Sequence, residues 1–555
     1  MRPMNMKNAT SKTQLFLALV VAVTLHAQAA FAAVPGITGT SAAGTSAAAA
    51  FSLTAQDAYL NQPDGEAVYS WGYGCVSQPP AAAFVPAVAF AFTPSCNTMQ
   101  VPGPTMVVTE GATVTISLTN NLPAPAGNTS ILFPGFTVAT SGGVAGLLTR
   151  EAAPGGSVTY TLTIPSTAAG THAYYSGTQS DLQVEMGLYG AIIVLPATAN
   201  IPAACNTGVH ASNVTAQGFW QESDFRLAHA AYNHPQACYD REYLFQFSEM
   251  DSNIHAQALA QVTAKTGCTA GAPGCSLNVP TEPYHPAYFM INGRSMPDDM
   301  DPNYSPFYPH QPYNGNPHMH PGELTLLRII GQGRWQHPFH EHGNHVRILA
   351  RDGNLILSQS DQNSLAGPLL FTTTTTPGLA MDGIFYWTGK GLNWDAYAHN
   401  PLSQDPSAKL PCNADTNGYN TGAPTAINYF EWCQDHNKPL QVAPFGDVAG
   451  GGPATLPDPN LFTNGAWYGG SPYLGPNATL RATGCSAGAP AGSCGATGST
   501  PPSGTIANSP SGEAGFAFMW HSHNEREITT NNIFPGGMLM MMLVDSREFV
   551  IDESN

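Results

Sequence analysis

The chain has 555 residues, too many for one ordinary domain and enough for roughly two to four with ample core. Only 10% of residues are charged, against a typical ~25%, while Phe 24, Tyr 21 and Trp 8 supply abundant aromatic surface, which excludes wholesale disorder. Asp+Glu 36 against Lys+Arg 18 gives a net charge of −18; such a chain repels phosphate backbones and anionic lipid, excluding nucleic acid and peripheral membrane surfaces as partners but not metal cations.

The first predicted element is a targeting segment. Arg2, Lys7 and Lys12 precede an apolar run of 11 residues, 15–25, too short to span a bilayer, and Ala30-Phe31-Ala32 is a small-x-small cleavage signal. Residues 1–32 therefore read as a signal peptide, and the mature chain as exported to the periplasm or the extracellular space. No later stretch holds 18 uninterrupted apolar residues, so no membrane span is expected after cleavage. Residues 33–58, rich in Ala, Gly, Ser and Thr, read as a flexible linker.

The ten cysteines fall as close sequential pairs: Cys75/Cys96, Cys205/Cys238, Cys268/Cys275, Cys412/Cys433 and Cys485/Cys494. An even count in an exported chain reads as disulfides, although spacing alone leaves their connectivity open. None has CxxC spacing.

Gly 56 and Pro 47 favour many turns and an all-β architecture. In residues 106–118 apolar and hydroxyl residues alternate around a Glu110-Gly111 turn. Residues 158–164 repeat the alternation, and 190–195 form a continuous apolar strand, so 59–197 reads as one β unit. A connector of mixed character, 198–240, precedes a second β unit at 241–550, with strands expected at 241–247, 324–330, 346–350, 516–520 and 538–544. Between about 390 and 512 lies a Gly/Pro/Asn/Ser-rich insertion holding two cysteine pairs. The expectation is two antiparallel β-sandwich units.

Histidine carries the chemistry. His337, His340, His342 and His345 form one cluster, and His521 with His523 another. In a strand, positions i and i+2 share a face, so His340 pairs with His342, and His521 with His523. Two such strands side by side put four neutral imidazoles on one surface, a donor set suited to copper, zinc or iron. His337 is an odd number of positions from His340 and faces the other way.

HPFHEHGNHV around these residues resembles the third copper motif of the multicopper oxidases, and WHSH followed by Gly536-Gly537-Met538 resembles their fourth. Residues 101–111, 187–195, 289–293 and 321–330 resemble the framework of the same family. The resemblance implies two cupredoxin-like Greek-key domains and an oxidoreductase that couples oxidation of phenols or metal ions to oxygen reduction. It implies His340, His342, His521 and His523 as type 2/type 3 copper ligands, His337 at a type 1 position, and allows a homotrimer.

The chain also departs from the family. Ser522 stands where the family has the type 1 Cys, and Glu527 where it has a second type 1 His. A blue site needs a thiolate with two imidazoles, so one or two coppers without a blue centre are expected. In the first unit Leu132, Pro134, Tyr175 and Gly177 replace four copper-binding His, and His172 is one residue out of phase. His318 and His320 form a further HxH pair, readable as an accessory copper site or a solvent-facing edge. Met538, Met540, Met541 and Met542 read as a buried last strand rather than a copper(I) site, and Glu525 and Glu527 as a solvated turn or as the carboxylate of a two-His, one-carboxylate site. A non-catalytic copper-binding or structural exported protein remains the alternative, with copper nitrite reductase a third.

Overall fold

A computed structural model describes residues 34–39, 48–87, 90–206, 224, 226–319, 323–387 and 515–545, with scattered residues between 398 and 433 and Ile551. The signal segment, most of the 390–512 insertion and the Cys485/Cys494 pair lie outside the described residues.

The first unit contains β1 (Gly36–Thr38), β2 (Ala48–Asn61), β3 (Ala67–Cys75), β4 (Phe84–Val85), β5 (Met106–Thr109), β6 (Thr113–Asn120), β7 (Thr137–Gly142), β8 (Val144–Ala145), β9 (Arg150–Glu151), β10 (Ser157–Thr163), β11 (Gly170–Tyr175) and β12 (Tyr189–Leu195). They build two five-stranded sheets, β11-β12-β5-β1-β4 and β3-β2-β6-β10-β7, with β8 and β9 paired separately. The period-two pattern explains the core. Val114, Ile116 and Leu118 of β6 lie opposite Leu162, Tyr160 and Val158 of β10, all buried, and they meet Met106, Val108, Ile192 and Val194 of the other sheet.

The linker expected at 33–58 is corrected. Residues 36–38 and 48–58 belong to strands: Phe51 and Leu53 of β2 pair in parallel with Ile116 and Leu118, and β2 also pairs antiparallel with β3. Phe51, Leu53 and Ala55 are buried. The run of small residues masks this alternation in composition without preventing strand pairing.

The second unit contains β13 (Arg241–Met250), β14 (Tyr288–Ile291), β15 (His318–Met319), β16 (Leu324–Gly331), β17 (Pro338–Glu341), β18 (Val346–Arg351), β19 (Asn354–Leu355), β20 (Leu369–Leu370), β21 (Thr372–Thr374), β22 (Ala380–Tyr386), β23 (Gly515–Ser522) and β24 (Leu539–Asp545). One sheet runs β14-β13-β16-β22-β18-β19 with β20 beside β18, and the other β15-β24-β23-β17-β21. Phe245, Phe247, Leu327, Ile329 and Phe385 face Phe339, Phe518, Trp520, Met540 and Met542 across this sandwich. The methionines of β24 are therefore core residues, with Met541 half-buried on the opposite face. The all-β, two-sandwich architecture expected from the sequence is the one observed, but the sheets are mixed rather than antiparallel, since β5 pairs in parallel with β1 and β12, and β13 with β16.

A helix, Ser252–Ala264, was not expected. Asp251 caps it, accepting a hydrogen bond from the Asn253 backbone at 2.9 Å, and its buried Ile254 and Ala258 join the core of the first unit. The units also meet along an apolar seam of Ala173, Ala191, Ile193, Leu244, Ile330 and Ala380. Four disulfides, Cys75–Cys96, Cys205–Cys238, Cys268–Cys275 and Cys412–Cys433, staple loops, and no cysteine among the described residues is free.

Candidate metal centre

Strand β17 pairs antiparallel with β23 so that His340 lies directly opposite His521. His342 and His523 follow one step beyond the ends of these strands, on the same face. The ring of His340 is 4.8 Å from that of His342, 5.6 Å from His521 and 4.9 Å from His523, centroid to centroid. The His521 ring is 5.2 Å from His342 and 5.7 Å from His523. The structure thus gathers all four imidazoles. His340 and His521 are buried, His342 is half-buried and His523 is exposed, so the cluster opens to solvent on one side.

Hydrogen bonds orient the rings. His521 Nδ1 lies 2.7 Å from the Ser522 carbonyl, which only accepts, so Nδ1 carries the proton and Nε2 presents its lone pair. His340 Nδ1 lies 2.9 Å from Thr372 Oγ1, directing its own Nε2 away from that partner. His342 Nε2 and His521 Nε2 are 3.2 Å apart. In metal-free protein this contact requires His342 to donate from Nε2, leaving its Nδ1 as a buried acceptor without a partner among the described residues. Burial, with repulsion from the neighbouring imidazoles second, pushes His340 and His342 down to about 4; burial also lowers His521. Neutral rings result at neutral pH, the state in which imidazole binds metal.

Two nitrogens sharing a tetrahedral ion at ~2.0–2.1 Å sit roughly 3.3 Å apart, close to the spacing of the His342 and His521 Nε2 atoms. A metal held by both Nε2 atoms would shift the His342 proton to Nδ1. Among the described residues, no three His, Cys, Asp or Glu side chains are already arranged to hold an ion. The donor set fits copper chemically, with one nitrogen pair at ligand spacing and the His340 and His523 rings 5.6 and 5.7 Å from that of His521, centroid to centroid.

His337 requires a correction. Expected at a type 1 copper position, it is wholly buried with its Nε2 2.9 Å from Glu249 Oε2 and its Nδ1 2.9 Å from Glu527 Oε2. Both ring nitrogens are committed to carboxylates, so no lone pair remains for copper. Burial alone would lower its pKa, but the two carboxylates outweigh it and raise the group to about 9. Ser522 Oγ donates to the same Glu527 oxygen. Glu527 is therefore buried inside a hydrogen-bonded network, not solvated as the sequence suggested, whereas Glu525 is exposed.

The remaining candidates lie apart from the four rings. Leu132 pairs with Tyr175 through backbone hydrogen bonds, and its side chain fills the space that a Cβ at Gly177 would need. His172 packs on Phe136 with its Nε2 at the Ala168 carbonyl. His318 is buried, and His320 lies outside the described residues. Sequence reasoning missed Thr372, which anchors His340, and Glu249, which anchors His337. Each lies far along the chain from its histidine with no motif around it, so only the fold reveals the contact.

Residues 95–199 match the multicopper oxidase family. A search of curated proteins returns no match. Among solved structures, the chain is similar to the multicopper oxidase mgLAC, at 14% identity over 91% of this chain and 89% of that one, with a TM-score of 0.43. It is similar to a blue copper oxidase from Nitrosomonas europaea, at 14% identity over 89% and 85%, TM-score 0.40. A copper nitrite reductase from the same organism gives 15% identity over 61% and 85%, TM-score 0.35.

Proposed function

Proceeding from a multicopper oxidase domain at residues 95–199, we propose that the chain is an exported, copper-dependent oxidoreductase of that kind. Its substrates are phenols or metal ions, its oxidant is oxygen, and one or two coppers are held by His340, His342, His521 and His523. The observation that carries the reading is the convergence of His342 Nε2 and His521 Nε2 at 3.2 Å, with His521 Nδ1 already committed to a carbonyl. Bound copper supplies one-electron redox chemistry. Thr372 and the Ser522 carbonyl hold the His340 and His521 rings, while the exposed His523 leaves an open side for a donor. The mature protein works in the periplasm or outside the cell.

A second reading, a copper-binding protein without catalysis, is favoured by the buried Glu249–His337–Glu527 bridge at the type 1 position and by the filled space around Leu132 and Gly177. Metal analysis and an optical spectrum of purified protein test the copper site. The expected result is stoichiometric copper without an intense blue band, lost in the His340→Ala/His523→Ala double variant and kept in His172→Ala. Equal copper in the double variant and wild type refutes the site. Oxygen consumption with a phenolic donor then separates enzyme from binding protein.

A further inference from the structure

We infer that Glu249, His337, Glu527 and Ser522 form a positioning device for the four-histidine site, built where the family has its thiolate copper. The inference rests on the copper reading above for its purpose, but its geometry stands in the metal-free protein.

The contacts form a continuous chain. Glu249, at the end of β13, is fixed by the backbone N–H groups of Arg334 at 2.7 Å and Trp335 at 2.9 Å, and accepts from Tyr284 OH at 3.2 Å. Its other oxygen holds His337 Nε2, and His337 Nδ1 reaches Glu527 at 2.9 Å. Glu527 accepts from Ser522 Oγ at 2.5 Å and, on its second oxygen, from Asn524 Nδ2 at 2.9 Å. The Ser522 carbonyl accepts from His521 Nδ1 at 2.7 Å. Four of these side chains, Glu249, His337, Ser522 and Glu527, are buried, so water does not compete for the bonds.

The consequence falls on His521. A metal-ligating imidazole needs a partner on its other nitrogen to set tautomer and ring orientation. Here that partner is a backbone carbonyl whose residue is tied by its own hydroxyl to Glu527. The lost thiolate has thus been replaced by a hydroxyl that holds a ligand in place. His337 holds the opposite strand: it directly precedes β17, and its backbone accepts from Thr375 N at 2.9 Å. The bridge therefore spans the two strands whose register sets His340 against His521.

The test uses the full mature chain as wild type, Ser522→Ala, Ser522→Thr and Glu527→Gln, with thermal melts confirming folding. In metal-free protein at neutral pH, long-range 1H–15N spectra should show His521 as the Nδ1–H tautomer in wild type and Ser522→Thr, and as a tautomer mixture in Ser522→Ala and Glu527→Gln. With copper(II) added against a competing chelator, those two variants should bind roughly tenfold more weakly, the scale of a lost outer partner, with altered EPR hyperfine splitting. An unchanged His521 tautomer in both Ser522→Ala and Glu527→Gln overturns the inference. Absence of copper binding by wild type overturns the copper reading instead, and the tautomer measurement still decides this one.

Discussion

At the scale of single residues, His337 carries the clearest energetic consequence. A buried imidazolium between Glu249 and Glu527 is stabilising only while it keeps its proton. Its folded pKa is about 9, above the ordinary 6.5, so the folded state binds more protons than the unfolded state between these values. Stability from the bridge is complete below pH 6.5 and is lost as pH rises through 9. Denaturant unfolding of metal-free protein at a series of pH values should show this decline, up to roughly 3 kcal/mol, and His337→Ala should flatten it. The same variant should lose about 3–5 kcal/mol near neutral pH, because two buried carboxylates lose their shared cation. A His337→Ala protein as stable as wild type, with the same pH profile, would show that the bridge contributes nothing.

At the scale of elements, strands with one buried face were legible and the rest were not. Residues 106–118 and 158–164 announce β5, β6 and β10 because every second side chain enters the core. The two HxH pairs were legible for the same reason, since strand parity puts each pair on one face. Their mutual approach was not, because β17 and β23 are separated by the long insertion; only the family motif suggested it. In β2, a run of three Ala residues opens the strand and the alternation of Phe51, Leu53 and Ala55 is diluted to three positions. The helix Ser252–Ala264 lacks a wide apolar stripe, and its one strong signal is the cap Asp251. That carboxylate also accepts from the His285 backbone at 2.8 Å. Asp251→Ala should cost about 1–2 kcal/mol, lowering the melting temperature measurably, whereas Asp251→Asn should keep most of the cap. Equal melting temperatures for Asp251→Ala and wild type would mean that packing of Ile254 and Ala258 alone holds the helix.

At the scale of the whole molecule, the two sandwiches are joined by a seam in which Ile193, Leu244 and Ile330 meet the small side chains of Ala173, Ala191 and Ala380. The alanines let the sheets approach but bury little area each, and a polar pin supplements the apolar contact. Asp382 of β22 supplies it. Its carboxylate accepts from Thr171 N at 3.1 Å and Thr171 Oγ1 at 2.6 Å, both on β11 of the first unit, and from Tyr232 OH. Arg328, 3.9 Å away, balances its charge and is itself held by Glu242 at 2.8 Å. Every member is buried, so each bond is made without competition from water and each orphaned group is costly. Asp382→Ala strips Thr171 and Tyr232 of their acceptor at once and should destabilise by about 3–5 kcal/mol. Because the lost contacts run between units, the heat-unfolding profile should change in kind as well as position. Wild type should unfold in one calorimetric transition, and Asp382→Ala should separate into two as the sandwiches stop melting together. Asp382→Asn, which keeps one acceptor oxygen for Thr171, should fall between them. A single transition at the wild-type midpoint in Asp382→Ala would place the coupling in the apolar seam and the helix Ser252–Ala264 instead.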